Sequence, residues 1–258
     1  MTSLDVSGLF SLEGRVAVVT GASSGLGHRF ARVLHAAGAT VVVAARRLDR
    51  LEALAESLGD RVVPVACDMG DDDAVRNLAA VANSVRGSVD VLVNNAGVGG
   101  NMPAEDFSME DWRWQMRVNT DAVFLLSQQV AIPMLARGKG SIINISSILG
   151  IVASAPIKQA AYTASKGAVV NLTRQLGCEW GRKGVRVNGI APGWFMSEMT
   201  ADEMFGDESS MAFIRRNTPM GRAGEEQELD GALLFLASDA SSYVTGQTLA
   251  IDGGWTAR

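Results

Sequence analysis

Seven short runs of valine, isoleucine and alanine punctuate the chain: 15–19 (RVAVV), 40–45 (TVVVAA), 62–66 (VVPVA), 89–93 (VDVLV), 141–146 (SIINIS), 185–190 (VRVNGI) and 247–251 (QTLAI). Runs this short and this continuously apolar read as strands buried on both faces, which means a parallel sheet covered by helices. The intervening segments carry the helical period. Leu26, Phe30, Val33, Leu34 and Ala37 form one apolar stripe. A second helix is predicted to start at Ser108, where S-M-E-D resembles a capping box, and to run through Trp112, Met116, Val123 and Leu126. A third carries Tyr162 and Lys166 and continues through Leu172 and Leu176. With right-handed crossovers the result is an α/β, doubly wound fold. No linker, repeat or low-complexity stretch divides the 258 residues, so a single domain over 1–258 is expected. Only 194–224 breaks the rhythm, with Met196, Met199, Met204, Met211 and Met220. It reads as a substrate lid offering adaptable apolar surface, or alternatively as a pair of surface helices.

The first strand runs into TGASSGLG at 20–27, and the first helix follows at once. This is the context of a phosphate-binding turn in a Rossmann-type fold. Gly21 permits the turn, Gly25 lets the backbone approach a pyrophosphate and Gly27 lets helix and strand pack closely, with Ser23, Ser24 and Leu26 completing the site. The end of the second strand chooses between dinucleotides, because an acidic residue there binds the ribose 2′-hydroxyl of NAD. Here it reads Ala44-Ala45-Arg46-Arg47, without a carboxylate. Guanidinium forks suit a 2′-phosphate, so NADP(H) is favoured and NAD(H) stays possible. The alternative is that Arg46 and Arg47 cap the next helix at the surface, near Asp49. Asp68, followed by Met69, is placed to receive the adenine amino group or to cap a helix starting near Asp71. Asn95, Ala96 and Gly97 end the fourth strand, where open α/β sheets bind ligands.

Tyr162 and Lys166 are four apart, hence on one helix face. A free tyrosine, with a pKa near ~10, is a poor acid–base catalyst at neutral pH. A cation about 4 Å away at an effective dielectric of about 20 contributes up to roughly 4 kcal/mol, enough to lower it by about three units. The pair Ser146-Ser147 lies fifteen residues upstream. Asn119 falls inside a helical pattern, where asparagine is unfavourable, and suggests a backbone irregularity or a solvated position.

A net charge of −5, with Arg46, Arg47 and Arg50 as the largest basic cluster, argues against a nucleic-acid partner. Cys67 and Cys178 read as buried free thiols of a reducing compartment. His28 and His35, seven apart with no third ligand, do not suggest a metal site. No apolar stretch reaches 18 residues and no targeting signal opens the chain, so a cytoplasmic enzyme without membrane contact is expected.

From Leu12 to Trp255 the chain resembles the short-chain dehydrogenase/reductase family in its single-domain form. The resemblance rests on TGASSGLG, Asp68, NNAG at 94–97, Asn119, Ser147, YTASK at 162–166, APG at 191–193 and IDGG at 251–254. It implies a seven-stranded parallel sheet, a homotetramer and a catalytic group of Asn119, Ser147, Tyr162 and Lys166. Tyr162 would protonate a carbonyl oxygen as hydride arrives from the nicotinamide, with Ser147 holding that oxygen. Lys166 would bind the nicotinamide ribose and lower the tyrosine pKa, and Asn119 would hold a water linking Lys166 to solvent. The resemblance also places Val118 beside the adenine and Pro192 and Gly193 beside the nicotinamide. Ser197 stands where the family often has threonine, and Ser146 is structural. The stretch from Ser147 to Tyr162 is slightly longer than in common members. The implied activity is NADPH-dependent reduction of a small-molecule ketone, with 3-oxoacyl thioesters as substrate class. NAD-dependent oxidation of secondary alcohols, a non-catalytic NADPH sensor and an assembly subunit are the alternatives.

Overall fold

A computed structural model describes residues 8–153, 157–196 and 208–257. Seven parallel strands form one sheet in the order β3-β2-β1-β4-β5-β6-β7. They are β1 (Val16–Thr20), β2 (Thr40–Ala45), β3 (Val62–Ala66), β4 (Val91–Asn94), β5 (Gly140–Ile145), β6 (Val185–Pro192) and β7 (Thr248–Ile251). The α-helices are α1 (Gly25–Ala36), α2 (Leu48–Leu58), α3 (Asp72–Ser84), α4 (Met109–Met116), α5 (Ala122–Arg137), α6 (Ala160–Gly181), α7 (Glu208–Asn217) and α8 (Asp230–Ala237). Every sequence-predicted strand is present, with ends moved by two residues at most.

The period-2 alternation explains why the strands look uniformly apolar. Val16 and Val18 of β1 face a core completed by α3, α5 and α6, through Leu78, Leu126 and Leu176. Ala17 and Val19 face the opposite core, where α1, α2 and α8 supply Phe30, Leu54 and Leu233. Burying each such large side chain contributes about 1.5–3 kcal/mol. Strand order reverses between β1 and β4, so the loops after these strands diverge and leave a crevice at the carboxyl edge.

The helix predicted from Ser108 does begin there. Ser108 accepts the Asp111 N–H at 3.0 Å, and its own hydroxyl donates to the Asp111 carboxylate at 2.6 Å. The helix is not regular throughout: one π-helical turn, Arg117–Asp121, joins α4 to α5 and contains Asn119. That is the irregularity anticipated from an asparagine in mid-helix; Asn119 is fully buried, so the solvated alternative is excluded.

One expectation is corrected. Cys67 is buried but Cys178 is exposed. The buried face of α6 near its end carries Leu176, Gly177 and Trp180, and position 178 points away from it. No helix among the described residues is long and apolar enough to cross a membrane.

Candidate active site

A cleft of about 450 Å³ opens at the carboxyl edge of the sheet, above the β1–β4 switch point. All the residues singled out from the glycine turn, the β2 end, Asp68-Met69, the NNAG loop, Val118, Ser147, Tyr162, Lys166 and Pro192-Gly193 line it. Asn119 lies behind that wall, and Ser197 lies outside the described residues.

The glycine turn is held by close approach. Gly21 has φ +69°, and a Cβ on it would sit 2.9 Å from the Ala96 Cα. Thr20 ties the turn to the NNAG loop: its Oγ1 accepts the N–H groups of Asn95 and Ala96, both at 3.0 Å. Ser24 precedes α1 without capping it through its side chain. The first amides of α1 are thereby left for an anion, as a pyrophosphate requires. Arg47 reaches back across the cleft, its Nη2 donating to Ser23 Oγ and Ser24 Oγ at 3.1 Å each. Arg47 occupies the N-cap position of α2 but makes no side-chain cap there, its guanidinium being turned to the glycine turn instead. Asp68 is not a helix cap. Asp71 fills that role, accepting from Asp73 N and Ala74 N, while Asp68 Oδ1 accepts Gly70 N–H at 2.8 Å. Glycines against backbone, free helix amides and two arginines with no carboxylate at the β2 end fit NADP(H).

At the other end of the cleft, Ser147 follows β5 and Tyr162 and Lys166 lie on the first turns of α6. Ser147 and Tyr162 line this end of the cleft together, and the Ser147 hydroxyl is close enough to act on the ionisation of the phenol. The Lys166 ammonium lies 5.6 Å from the Tyr162 ring centroid and donates to the Ile145 carbonyl at 2.9 Å. Two further ammonium donors remain. Burial pulls the Lys166 pKa down to about 8. Burial also pushes the Tyr162 phenol above its ordinary value, opposed by the nearby Ser147 hydroxyl. The expected depression of the phenol by Lys166 does not appear: helical spacing gives proximity, but burial of the phenol sets the direction of its shift.

Ser146 has the structural role anticipated for it, its hydroxyl donating to the Lys166 carbonyl at 3.0 Å. Asn119 clamps the loop after the NNAG motif. Its Oδ1 accepts Val98 N–H at 2.8 Å, and its Nδ2 donates to Val98 O at 2.8 Å and Ser165 Oγ at 3.0 Å. Both amide hydrogens are thus spent. Gly97 fits between this clamp and the lysine, since a Cβ there would lie 3.3 Å from both Asn119 Oδ1 and Lys166 Nζ.

Beside Ser147 and Tyr162 sits an apolar cluster of Ile148, Leu149, Trp194, Ile214 and Trp255, with Met211 and Phe213 packed against it. The described residues of the anticipated lid therefore include a helix, α7, packed on this cluster, with irregular stretches at 194–196 and 218–224. Met196 and Met220 are exposed, whereas Met199 and Met204 lie outside the described residues. Sequence reading missed Phe195 and Trp114, which also line the cleft. Neither belongs to a motif, although Trp114 stands one helical turn before Val118.

The chain matches the family described as Enoyl-(Acyl carrier protein) reductase over residues 21–256. It is 43% identical to gluconate 5-dehydrogenase of Gluconobacter oxydans (strain 621H), covering 96% of this chain and 97% of that protein. The chain belongs to the short-chain dehydrogenase/reductase family. With it, the protein is an NAD(P)-dependent oxidoreductase acting on CH–OH groups. Another family member, galactitol 2-dehydrogenase (L-tagatose-forming) of Cereibacter sphaeroides, is 41% identical over 98% of this chain and 99% of its own. Among solved short-chain dehydrogenase structures, gluconate 5-dehydrogenase from Burkholderia cenocepacia J2315, in complex with NADP and tartrate, superposes with a TM-score of 0.93. The sequence identity is 39%, covering 98% of this chain and all of that one.

Proposed function

We propose that the protein interconverts a secondary alcohol and a ketone on a polyhydroxylated substrate, a polyol or sugar acid, using NADP(H). The observation that carries the chemistry is the convergence of Ser147, Tyr162 and Lys166 in the cleft that also holds the glycine turn, with the Lys166 ammonium 5.6 Å from the Tyr162 ring centroid. NADPH, when bound, supplies the hydride for reduction. Ser147 donates a hydrogen bond to the substrate oxygen, and Tyr162 gives that oxygen its proton. Lys166 holds the nicotinamide ribose with its remaining donors. Asn119, its amide hydrogens spent, can hold a water only as an acceptor, through Oδ1 or its main-chain carbonyl.

Because burial raises the phenol pKa, Tyr162 stays protonated at neutral pH and is ready to donate. Alcohol oxidation needs the phenolate instead. Oxidation is therefore expected to accelerate steadily from about pH 7 to about pH 10, while ketone reduction stays level and then falls. Parallel pH profiles of kcat/KM in the two directions check this; profiles of the same sign would exclude Tyr162 as the shared acid and base.

Arg46 and Arg47 support NADP over NAD, as does the NADP held by the Burkholderia enzyme. Replacing both arginines by alanine should weaken NADPH binding by about 10- to 100-fold and change NADH binding little. Equal losses for both cofactors would mean that the arginines only shape the turn.

The polyhydroxy substrate class is supported by the relatives that act on gluconate and galactitol. One observation favours 3-oxoacyl thioesters instead: the family whose pattern the chain matches is described as Enoyl-(Acyl carrier protein) reductase, which points to acyl thioesters. Assays with gluconate, galactitol and an acetoacetyl thioester separate the two. Turnover of the thioester alone would reverse the assignment. Phe124 and Ile132, exposed on α5, support self-association. The intact Ser147–Tyr162–Lys166 group speaks against a sensor without turnover.

A further inference from the structure

Trp114 belongs to none of the family motifs, yet it lines the same cleft as Asp68, Met69 and Val118. It stands four residues before Val118, just ahead of the π-helical turn that carries Val118, and both residues line the cleft. Val118 is 5% exposed and lies deep in the cleft, whereas Trp114 is 41% exposed at the rim. The indole has a defined seat. A Cβ on Gly70 would come within 2.3 Å of Trp114 Cζ3 and 2.5 Å of Cη2, so the six-membered ring lies directly on the glycine backbone. The turn beneath it is fixed from both sides. Asp68 Oδ1 accepts Gly70 N–H at 2.8 Å, and Arg117 Nη1 donates to Gly70 O at 3.3 Å.

A large aromatic ring held at the mouth of a nucleotide cleft, with its apolar surface partly in water, is suited to cover a flat base. We infer that Trp114 is an adenine-binding residue, forming with Val118 one wall of a slot whose other wall is Asp68-Met69. Gly70 is the positioning residue, since only a glycine lets the indole sit against the turn. This inference rests on the NADP(H) reading of the cleft. Aromatic contact with a base is worth on the order of tenfold in affinity when the ring is removed.

The test is calorimetric titration of NADPH and of 2′,5′-ADP, which is the adenosine half of the cofactor without the nicotinamide. Wild type, Trp114→Ala, Trp114→Phe and Gly70→Ala are compared, with melting temperatures as the check on folding. Trp114→Ala should weaken both ligands equally, by about tenfold. Trp114→Phe, which keeps a flat ring, should recover most of the loss. Gly70→Ala should weaken both ligands although Trp114 is intact, because the added methyl displaces the indole. Wild-type affinity of folded Trp114→Ala for 2′,5′-ADP overturns the inference, as does a loss confined to NADPH. If Trp114→Ala does not fold, Gly70→Ala decides, and unchanged affinity in that variant overturns the inference equally. Failure of the cofactor reading looks different: wild type itself would then bind neither ligand.

Discussion

Replacing Tyr162 by phenylalanine should lower turnover on the order of 10³-fold while NADPH still binds. The substitution removes one oxygen and keeps the ring, which packs beside the cluster of Ile148, Leu149 and Trp255. The fold should therefore persist, and the lost group is the phenol hydroxyl that shares the cleft with Ser147 and Lys166. Ser147→Ala should cost somewhat less, about 10²-fold, because it removes a stabilising hydrogen bond and not the transferred proton. Steady-state rates at saturating NADPH, with cofactor affinity measured separately, distinguish these losses. A phenylalanine variant retaining more than about a tenth of wild-type turnover would place the proton donor elsewhere.

Gly27→Ala should be nearly as damaging by a different route. A Cβ at that position would lie 2.3 Å from Gly21 O and 2.5 Å from Asn95 Nδ2. The first is backbone, and the second is tied by its hydrogen bond to Thr20 O at 2.9 Å, so neither can yield easily. Helix α1 must then move off the turn, taking its anion-facing amides with it. Overpacking of this kind costs about 1–3 kcal/mol, or roughly 3–10 °C in melting temperature for a chain of this size. Cofactor affinity should fall about 100-fold, since several backbone donors lose their alignment together. Gly231→Ala is the matched control. That glycine lies in α8 with nothing within 4 Å of its would-be Cβ, so alanine there should be neutral or stabilising. Equal behaviour of the two variants would mean that the close approach at Gly27 carries no cost.

The fold was legible because the strands are buried on both faces, and period-2 alternation between two apolar cores leaves valine-rich runs with few polar interruptions. The glycine turn was legible for a similar reason, as strand, turn and helix follow one another without a spacer. Asn119 was half legible. Its poor helix propensity pointed to an irregularity, but its side-chain clamp on Val98 depends on a loop 21 residues away. Three things were hidden. The pKa of Tyr162 depends on burial, which helical spacing cannot express, and its direction came out opposite to the one proximity suggested. Cys178 lies between Gly177 and Trp180 of the buried face of its helix but points away from that face. Trp114 acquires its place only through contact with Gly70, a residue 44 positions earlier.

The most direct measurement follows the label. A polyol or sugar acid carrying deuterium on the carbon that bears the reacting hydroxyl is oxidised with NADP in ordinary water, and the reduced cofactor is weighed by mass spectrometry. The expected result is reduced cofactor carrying the deuterium, formed by wild type and not by the Tyr162→Phe protein, with rates that rise as the pH is raised. Reduced cofactor without label, or a wild type that binds NADPH yet oxidises no alcohol and reduces no ketone, would rule out direct transfer between substrate carbon and nicotinamide beside Tyr162.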